Sequence, residues 1–112
     1  WMRAASADIL GDLGHAPEPG IQNLIELLED EFEWVRRNAV EALGNLKAGD
    51  AIFALASRLH DENERVRHNA ALSLIKIGEP SRMALPDLER ATDDGNRYVR
   101  ALSQMAIDRL NR

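Results

Sequence analysis

The sequence contains no cysteine and few aromatic residues. Without cysteine the chain can form neither disulfides nor thiolate metal sites. Aromatic side chains make up 4% of the 112 residues, whereas apolar side chains make up 45%, so a core has to be assembled from alanine, leucine, isoleucine and valine. Proline is scarce and β-branched residues never form a run, which disfavours strands. The composition therefore predicts an all-α protein whose helices pack closely.

Long apolar runs and an excess of positive charge are also absent. No stretch approaches the roughly 20 apolar residues that a membrane-spanning helix needs, and no basic, apolar leader opens the chain, so we expect a cytoplasmic protein without a membrane partner. Lysine and arginine number 14 against 19 acidic residues, a net charge of −5. Because binding along a phosphate backbone requires the opposite sign, nucleic acid is not the partner we expect.

The most informative feature is an internal repeat. Four segments align without gaps, and each carries an arginine at its second position: Arg3, Arg36, Arg67 and Arg100, spaced 33, 31 and 33 residues apart. In the second segment, apolar or small residues occupy Val35, Ala39, Leu43 and Leu46, a spacing that places them on one side of a helix. The two longer connections between units both contain Glu-Pro, where extra residues do not rotate a helix face.

Glycine and proline fit this periodicity. Gly44 and Gly11 lie near helix ends where two helices can approach closely, and Gly78 and Gly14 lie where a helix should stop. Pro86 falls in the first turn of a helix, where the missing N–H costs nothing.

The pattern predicts an α-solenoid of about three and a half helix pairs, with seven helices over residues 2–13, 20–30, 33–46, 50–60, 64–77, 82–92 and 96–110. A lone pair of such helices cannot bury its apolar face, whereas stacked pairs can. We expect one domain over residues 1–112, divided into the second helix of a truncated repeat (1–14) and three repeats (17–47, 48–78 and 79–112).

The start of the chain carries its own expectation. The sequence begins at Trp1 without an initiator methionine, so we expect a fragment of a longer solenoid. The helix over 2–13 would lack its covering partner, which leaves Met2, Ile9 and Leu10 partly bare. Self-association through this truncated N-terminal helix is therefore a hypothesis.

The aligned segments, with Val-Arg followed by Ala and then Ala-Leu-Gly, resemble the HEAT-like repeats associated with phycobilisome lyases. In that family an aspartate in the turn between paired helices lies a few residues before Val-Arg, and here Asp30, Asp61 and Asp94 each precede the valine by five residues. The resemblance implies a solenoid that binds partners along an extended surface, and it implies no reaction. Some members are bilin lyase subunits, a di-iron hydroxylase or a DNA glycosylase. The paired His-Glu motif of the hydroxylase type is absent here.

The charged residues in register with the repeat are Asp30, Arg36, Asp61, Arg67, Asp94 and Arg100. The arginines, together with Arg3, could form an anion-binding row, or each aspartate could pair with an arginine of its own or the adjacent repeat. Because a binding site seldom needs one copy per repeat, we interpret them as a structural ladder.

The candidate binding site consists of residues on the second helices that do not belong to the apolar side. Offsets 2, 3, 6 and 10 of each second helix should face away from the core, toward the concave side. The predicted partner-binding residues are Trp34, Arg37, Asn38, Glu41, His68, Asn69, Leu72, Lys76 and Met105. Alternatives remain for the apolar members. Leu72 could pack against its neighbours, or the apolar patch of Leu72, Leu102 and Met105 could contact a repeat missing from the C-terminal end. Trp34 could cover the turn between helices.

We therefore predict a non-catalytic protein-interaction scaffold that binds a protein partner along the second helices. No catalytic, cofactor-binding or metal-binding residues are predicted, because no histidine has a second ligand at helical spacing on its own predicted helix and the serines lack a neighbouring base. The alternative is an accessory subunit or domain of a phycobilisome-type bilin lyase, followed by a nucleic-acid-binding solenoid.

Overall fold

The computed structural model describes residues 18–112, and the side chains from residue 20 onward. This part of the chain forms six α-helices and no strand: α1 (Glu18–Leu27), α2 (Glu33–Asn45), α3 (Ile52–Arg58), α4 (Glu64–Ile77), α5 (Leu85–Ala91) and α6 (Arg97–Leu110). Two 3₁₀ segments, Gly49–Ala51 and Glu79–Ala84, lead into α3 and α5. Six of the seven predicted helices are therefore present, and the seventh, over 2–13, lies outside the described residues.

The six helices form three pairs, and the pairs stack in chain order. In each pair the first helix (α1, α3 or α5) packs on the second (α2, α4 or α6). Neighbouring second helices pack directly on each other, α2 on α4 and α4 on α6, whereas first helices contact each other much less. The arrangement is an all-α solenoid, as the repeat predicts.

The first helices α3 and α5 are shorter than the predicted 50–60 and 82–92. Their first turns are the 3₁₀ segments, and the second of these contains Pro80, which lacks the N–H that an α-helical bond would need. At the other end of α3, the amides of Leu59 and His60 bond the carbonyls of Ala56 and Ser57 three residues back. Tightening at both ends limits the regular α-helix to two turns.

Among residues 20–112, the buried core cluster consists of leucine, alanine, valine and isoleucine, as the composition predicts. Small residues allow the second helices to approach closely. A Cβ atom on Gly44 would lie 2.8 Å from the Cα of Ser73 on the facing helix, and the Ser73 hydroxyl donates to the carbonyl oxygen of Val40 at 2.8 Å. Any larger residue at Gly44 would force α2 and α4 apart.

The ends of the second helices show one departure from the repeat. Gly78 ends α4 with a φ of 83°, and the aligned residue after α2 is Lys47, with a φ of 52°. The left-handed region is strained for a residue with a Cβ atom and free for glycine.

Lys47→Gly should therefore raise the free energy of unfolding by about 0.5–1 kcal/mol, because it removes this strain. Urea unfolding followed by circular dichroism would measure the change. Lys47→Ala is the matched control, because it removes the charge and keeps the Cβ atom, and it should change stability little. Equal stabilisation by both variants would contradict the explanation.

Candidate functional site

The turn between paired helices is built the same way in all three described repeats. An aspartate Oδ1 accepts the backbone N–H two residues later: Asp30 from Phe32 at 3.0 Å, Asp61 from Asn63 at 2.9 Å, and Asp94 from Asn96 at 2.8 Å. The aspartate thereby shapes the chain before the second helix begins.

The arginine of each second helix reaches back to this turn and, in two repeats, forward to the next one. Arg36 donates from Nη1 to the carbonyl oxygen of Asp30 at 2.8 Å. Its Nε and Nη2 donate to the two carboxylate oxygens of Asp61 at 2.8 and 3.0 Å. Arg36 and Asp61 are 6% and 7% exposed. The hydrogen bonds to Asp61 raise the pKa of Arg36 above its ordinary value, against the opposing effect of burial.

The same contacts recur at the next junction with more solvent around them. Arg67 donates to the carbonyl oxygen of Asp61 at 2.9 Å, and its Nε lies 2.9 Å from the Asp94 carboxylate. Arg100 donates to the carbonyl oxygen of Asp94 at 2.7 Å and is exposed. Because Arg36 and Arg67 use their donors within the chain, they do not present a free row for anions.

Arg58 also joins the ladder, and the repeat pattern does not predict it. Its Nη1 donates to the carbonyl oxygen of Leu28 at 3.0 Å and to Oδ2 of Asp61 at 3.2 Å. The aligned residues in the other repeats are Leu27 and Ala91. The only signal in the sequence is a cation where the other repeats are apolar.

The start of α2 differs from the starts of α4 and α6. Asn63 and Asn96 accept two backbone N–H groups each as helix caps, whereas the aligned Phe32 makes no side-chain cap bond. Phe32 is 46% exposed and stacks on the half-buried Trp34, with ring centroids 6.2 Å apart. The predicted partner anchor Trp34 therefore contacts the turn, which is the alternative that the sequence left open.

The remaining candidate residues lie on the second helices, on a surface that we call the second-helix face. It consists of Arg37, Asn38, Glu41 and Asn45 on α2, His68, Asn69, Leu72 and Lys76 on α4, and Ala101, Leu102, Met105 and Arg109 on α6. Four of the predicted residues, Glu41, Asn69, Leu72 and Lys76, line one cleft of about 100 Å³ together with Ser73. Lys76 Nζ also donates to Asn45 Oδ1 at 2.8 Å, which connects α4 to α2.

The other predicted residues surround this cleft or lie apart from it. Arg37, Asn38 and His68 are half-buried, and His68 meets Tyr98 edge to face with centroids 6.4 Å apart. Met105 is 43% exposed and lines a second, open cleft on α6 with Arg109. Leu102 packs partly against the core, so the predicted apolar patch is smaller than the sequence suggests.

Two further properties concern the part of the chain from residue 18 onward. It contains no group of three or more histidine or acidic side chains that could hold a metal ion. His60 lies 3.2 Å from Asp87 and His68 contacts Tyr98, so these two histidines have different neighbours. None of the helices in this region has the length and apolar character needed to cross a bilayer.

The sequence of the chain matches two models of known protein families. A family model described as HEAT repeats covers residues 21–108. The chain belongs to the HEAT-repeat family. A second model, described as PBS lyase HEAT-like repeat, covers residues 2–30. A search among curated proteins finds no match.

Two solved structures of engineered proteins have a fold similar to that of this chain. Each is 20% identical to the chain with a TM-score of 0.68. The matches cover 94% and 95% of this chain, but only 54% and 33% of the engineered proteins. The chain thus spans little more than half of one and a third of the other, and the likeness concerns the fold alone.

The ladder predicts unequal costs for two similar substitutions. Asp61→Asn should lower the free energy of unfolding by about 3–5 kcal/mol, because it leaves the buried Arg36 charge without its partner. Asp94→Asn should cost about 1 kcal/mol, because Arg67 is better solvated. Chemical denaturation of both variants measures the difference, and equal costs would contradict the assigned role of burial.

Proposed function

We propose that this HEAT-repeat chain is a non-catalytic scaffold that binds a protein partner along its concave second-helix face. The observation that carries the proposal is the cleft between α2 and α4, where Glu41, Asn69, Leu72 and Lys76 come together. The proposal separates these residues from the ladder, whose charged groups hold the repeats together.

The packing of the stack supports the concave assignment. Second helices pack directly on their neighbours, whereas first helices are in much looser contact. We take the more tightly packed side of the stack as its inner side, which makes the second helices the concave layer. Stacked repeats commonly present an extended concave surface for binding.

The variation along the face supports a binding role. The ladder carries aspartate and arginine in every described repeat. At aligned positions, by contrast, the second-helix face changes from Glu41 to Leu72 to Met105. A surface that only needed solvation would have no reason to expose a 43% accessible methionine beside charged residues.

The hydroxyl groups support a non-catalytic role. Ser57, Ser73 and Ser81 donate to backbone carbonyl oxygens at 3.2, 2.8 and 2.8 Å. These hydrogen bonds hold the three hydroxyl groups within their own helices and junctions, which supports a structural role for them.

A second candidate function rests on the match of residues 2–30 to the PBS lyase HEAT-like repeat. In this alternative the chain is an accessory subunit or domain of a bilin lyase. Incubation of the protein with a bilin and an apo-phycobiliprotein would test it. A covalent adduct that depends on the chain would support the alternative, and its absence would refute it.

The scaffold proposal predicts the effect of charge reversal on the second-helix face. Arg37→Glu combined with Lys76→Glu should reduce capture of a partner by the immobilised protein at least about tenfold, because both cations lie on the proposed contact surface. Quantitative mass spectrometry of proteins bound from a lysate of the source organism provides the readout.

The control is Arg65→Glu, which reverses an exposed cation on α4 outside the face. It should leave capture unchanged, and circular dichroism should show all variants folded. Unchanged capture by the folded double variant would show that the partner binds elsewhere.

A further inference from the structure

The two C-terminal helices of the second-helix face share a pattern that α2 lacks. Leu72 and Lys76 on α4 are four residues apart, and so are Met105 and Arg109 at the aligned positions of α6. Residues four apart lie on the same side of a helix, one turn from each other. Each helix therefore presents an apolar side chain with a cation one turn further along.

The two cations of this pattern, Lys76 and Arg109, each share a cleft with one acidic residue, Glu41 and Asp108 respectively. Lys76 bonds to Asn45, a neutral side chain, at 2.8 Å. Neither Lys76 nor Arg109 forms an ion pair with any residue between 20 and 112. The half-buried Leu72 and the exposed Met105, each beside a cation without an ion-pair partner, are complementary to a ligand that carries both apolar and acidic side chains.

The exposure of Met105 is not explained by stacking of repeats. The side of α2 that meets the next helix carries Val40 and Gly44, which are buried. The aligned residues on α6 are Gln104 and Asp108, which are exposed and bonded to each other at 3.0 Å. The stacking side of α6 is thus polar, whereas Met105 lies on the second-helix face.

The distance between α4 and α6 indicates whether a bound segment is helical or extended. Packed helices lie about 8–10 Å apart, so Leu72 and Met105 are separated by roughly this distance along the stack. Residues seven apart on an α-helix lie on one side and are about 10.5 Å apart. On a strand, same-side residues are about 6.8 or 13.5 Å apart, which fits less well.

We propose that α4 and α6 bind an amphipathic helical segment of the partner. Apolar residues seven positions apart would contact Leu72 and Met105, and carboxylates on one flank would pair with Lys76 and Arg109. The inference rests on the proposed scaffold function and names the chemistry of the segment that the face binds.

A synthetic peptide tests the inference directly. The probe is a fluorescein-labelled, alanine-based helix of about 18 residues, with leucines seven positions apart and glutamates one and four positions after each leucine. One control replaces the glutamates by lysines, and another keeps the composition but places the leucines five positions apart, on different sides of the helix. Fluorescence anisotropy with the complete chain gives the three affinities.

The acidic peptide with leucines seven positions apart should bind at least about tenfold more tightly than either control. The lysine control loses two solvent-exposed ion pairs, and the control with leucines five positions apart loses one apolar contact. Lys76→Glu combined with Arg109→Glu should reverse the preference between glutamate and lysine peptides, and Met105→Ala should weaken both. Arg65→Glu should change none of the affinities. Of the peptides, only those with glutamates should bind more tightly at low salt than at high salt, because salt screens their attraction to Lys76 and Arg109.

Equal affinities for the three peptides, or no detectable binding of any, would overturn the inference. The two proposals fail separately: if charge reversal at Arg37 and Lys76 abolishes partner capture while the peptides show no preference, the scaffold stands and the acidic helix is wrong. If capture also survives charge reversal, both are wrong.

Discussion

The buried pair between Arg36 and Asp61 connects the first two described repeats at the point where their turns meet. Its geometry is bidentate, and the same guanidinium also reaches the carbonyl oxygen of Asp30. A charge buried to this extent requires a partner and satisfied donors. The pair therefore holds one turn against the next, and it acts together with the packing of α2 on α4.

The ladder also explains why the conspicuous arginines are not the binding site. An arginine that binds a turn carbonyl and the next carboxylate has few donors left for a ligand. The decrease in burial from Arg36 through Arg67 to Arg100 reflects how much of the described chain covers each one. The residues available for recognition are those that change between repeats, which lie on the second-helix face.

The shortage of aromatic residues has two structural consequences. The core is filled by small and aliphatic side chains, so that α2 and α4 approach closely at Gly44 and Ser73. The aromatic residues of the described chain lie instead at the surface or half-buried, and Phe32 occupies the position of a helix-capping asparagine. Loss of that cap costs about 1 kcal/mol, which the stacking on Trp34 partly offsets.

The repeat in the sequence determined most of the fold. Its period placed the six described helices, its small residues indicated close packing, and Asp30, Asp61 and Asp94 marked the turns, because a stacked repeat must place equivalent residues in equivalent surroundings. Only the tertiary structure decided which carboxylate each arginine meets, that Arg58 joins the pair, and that Leu102 packs inward while Met105 is exposed. These contacts join residues of different repeats, and their geometry depends on how the helices cross, which spacing along a chain does not encode.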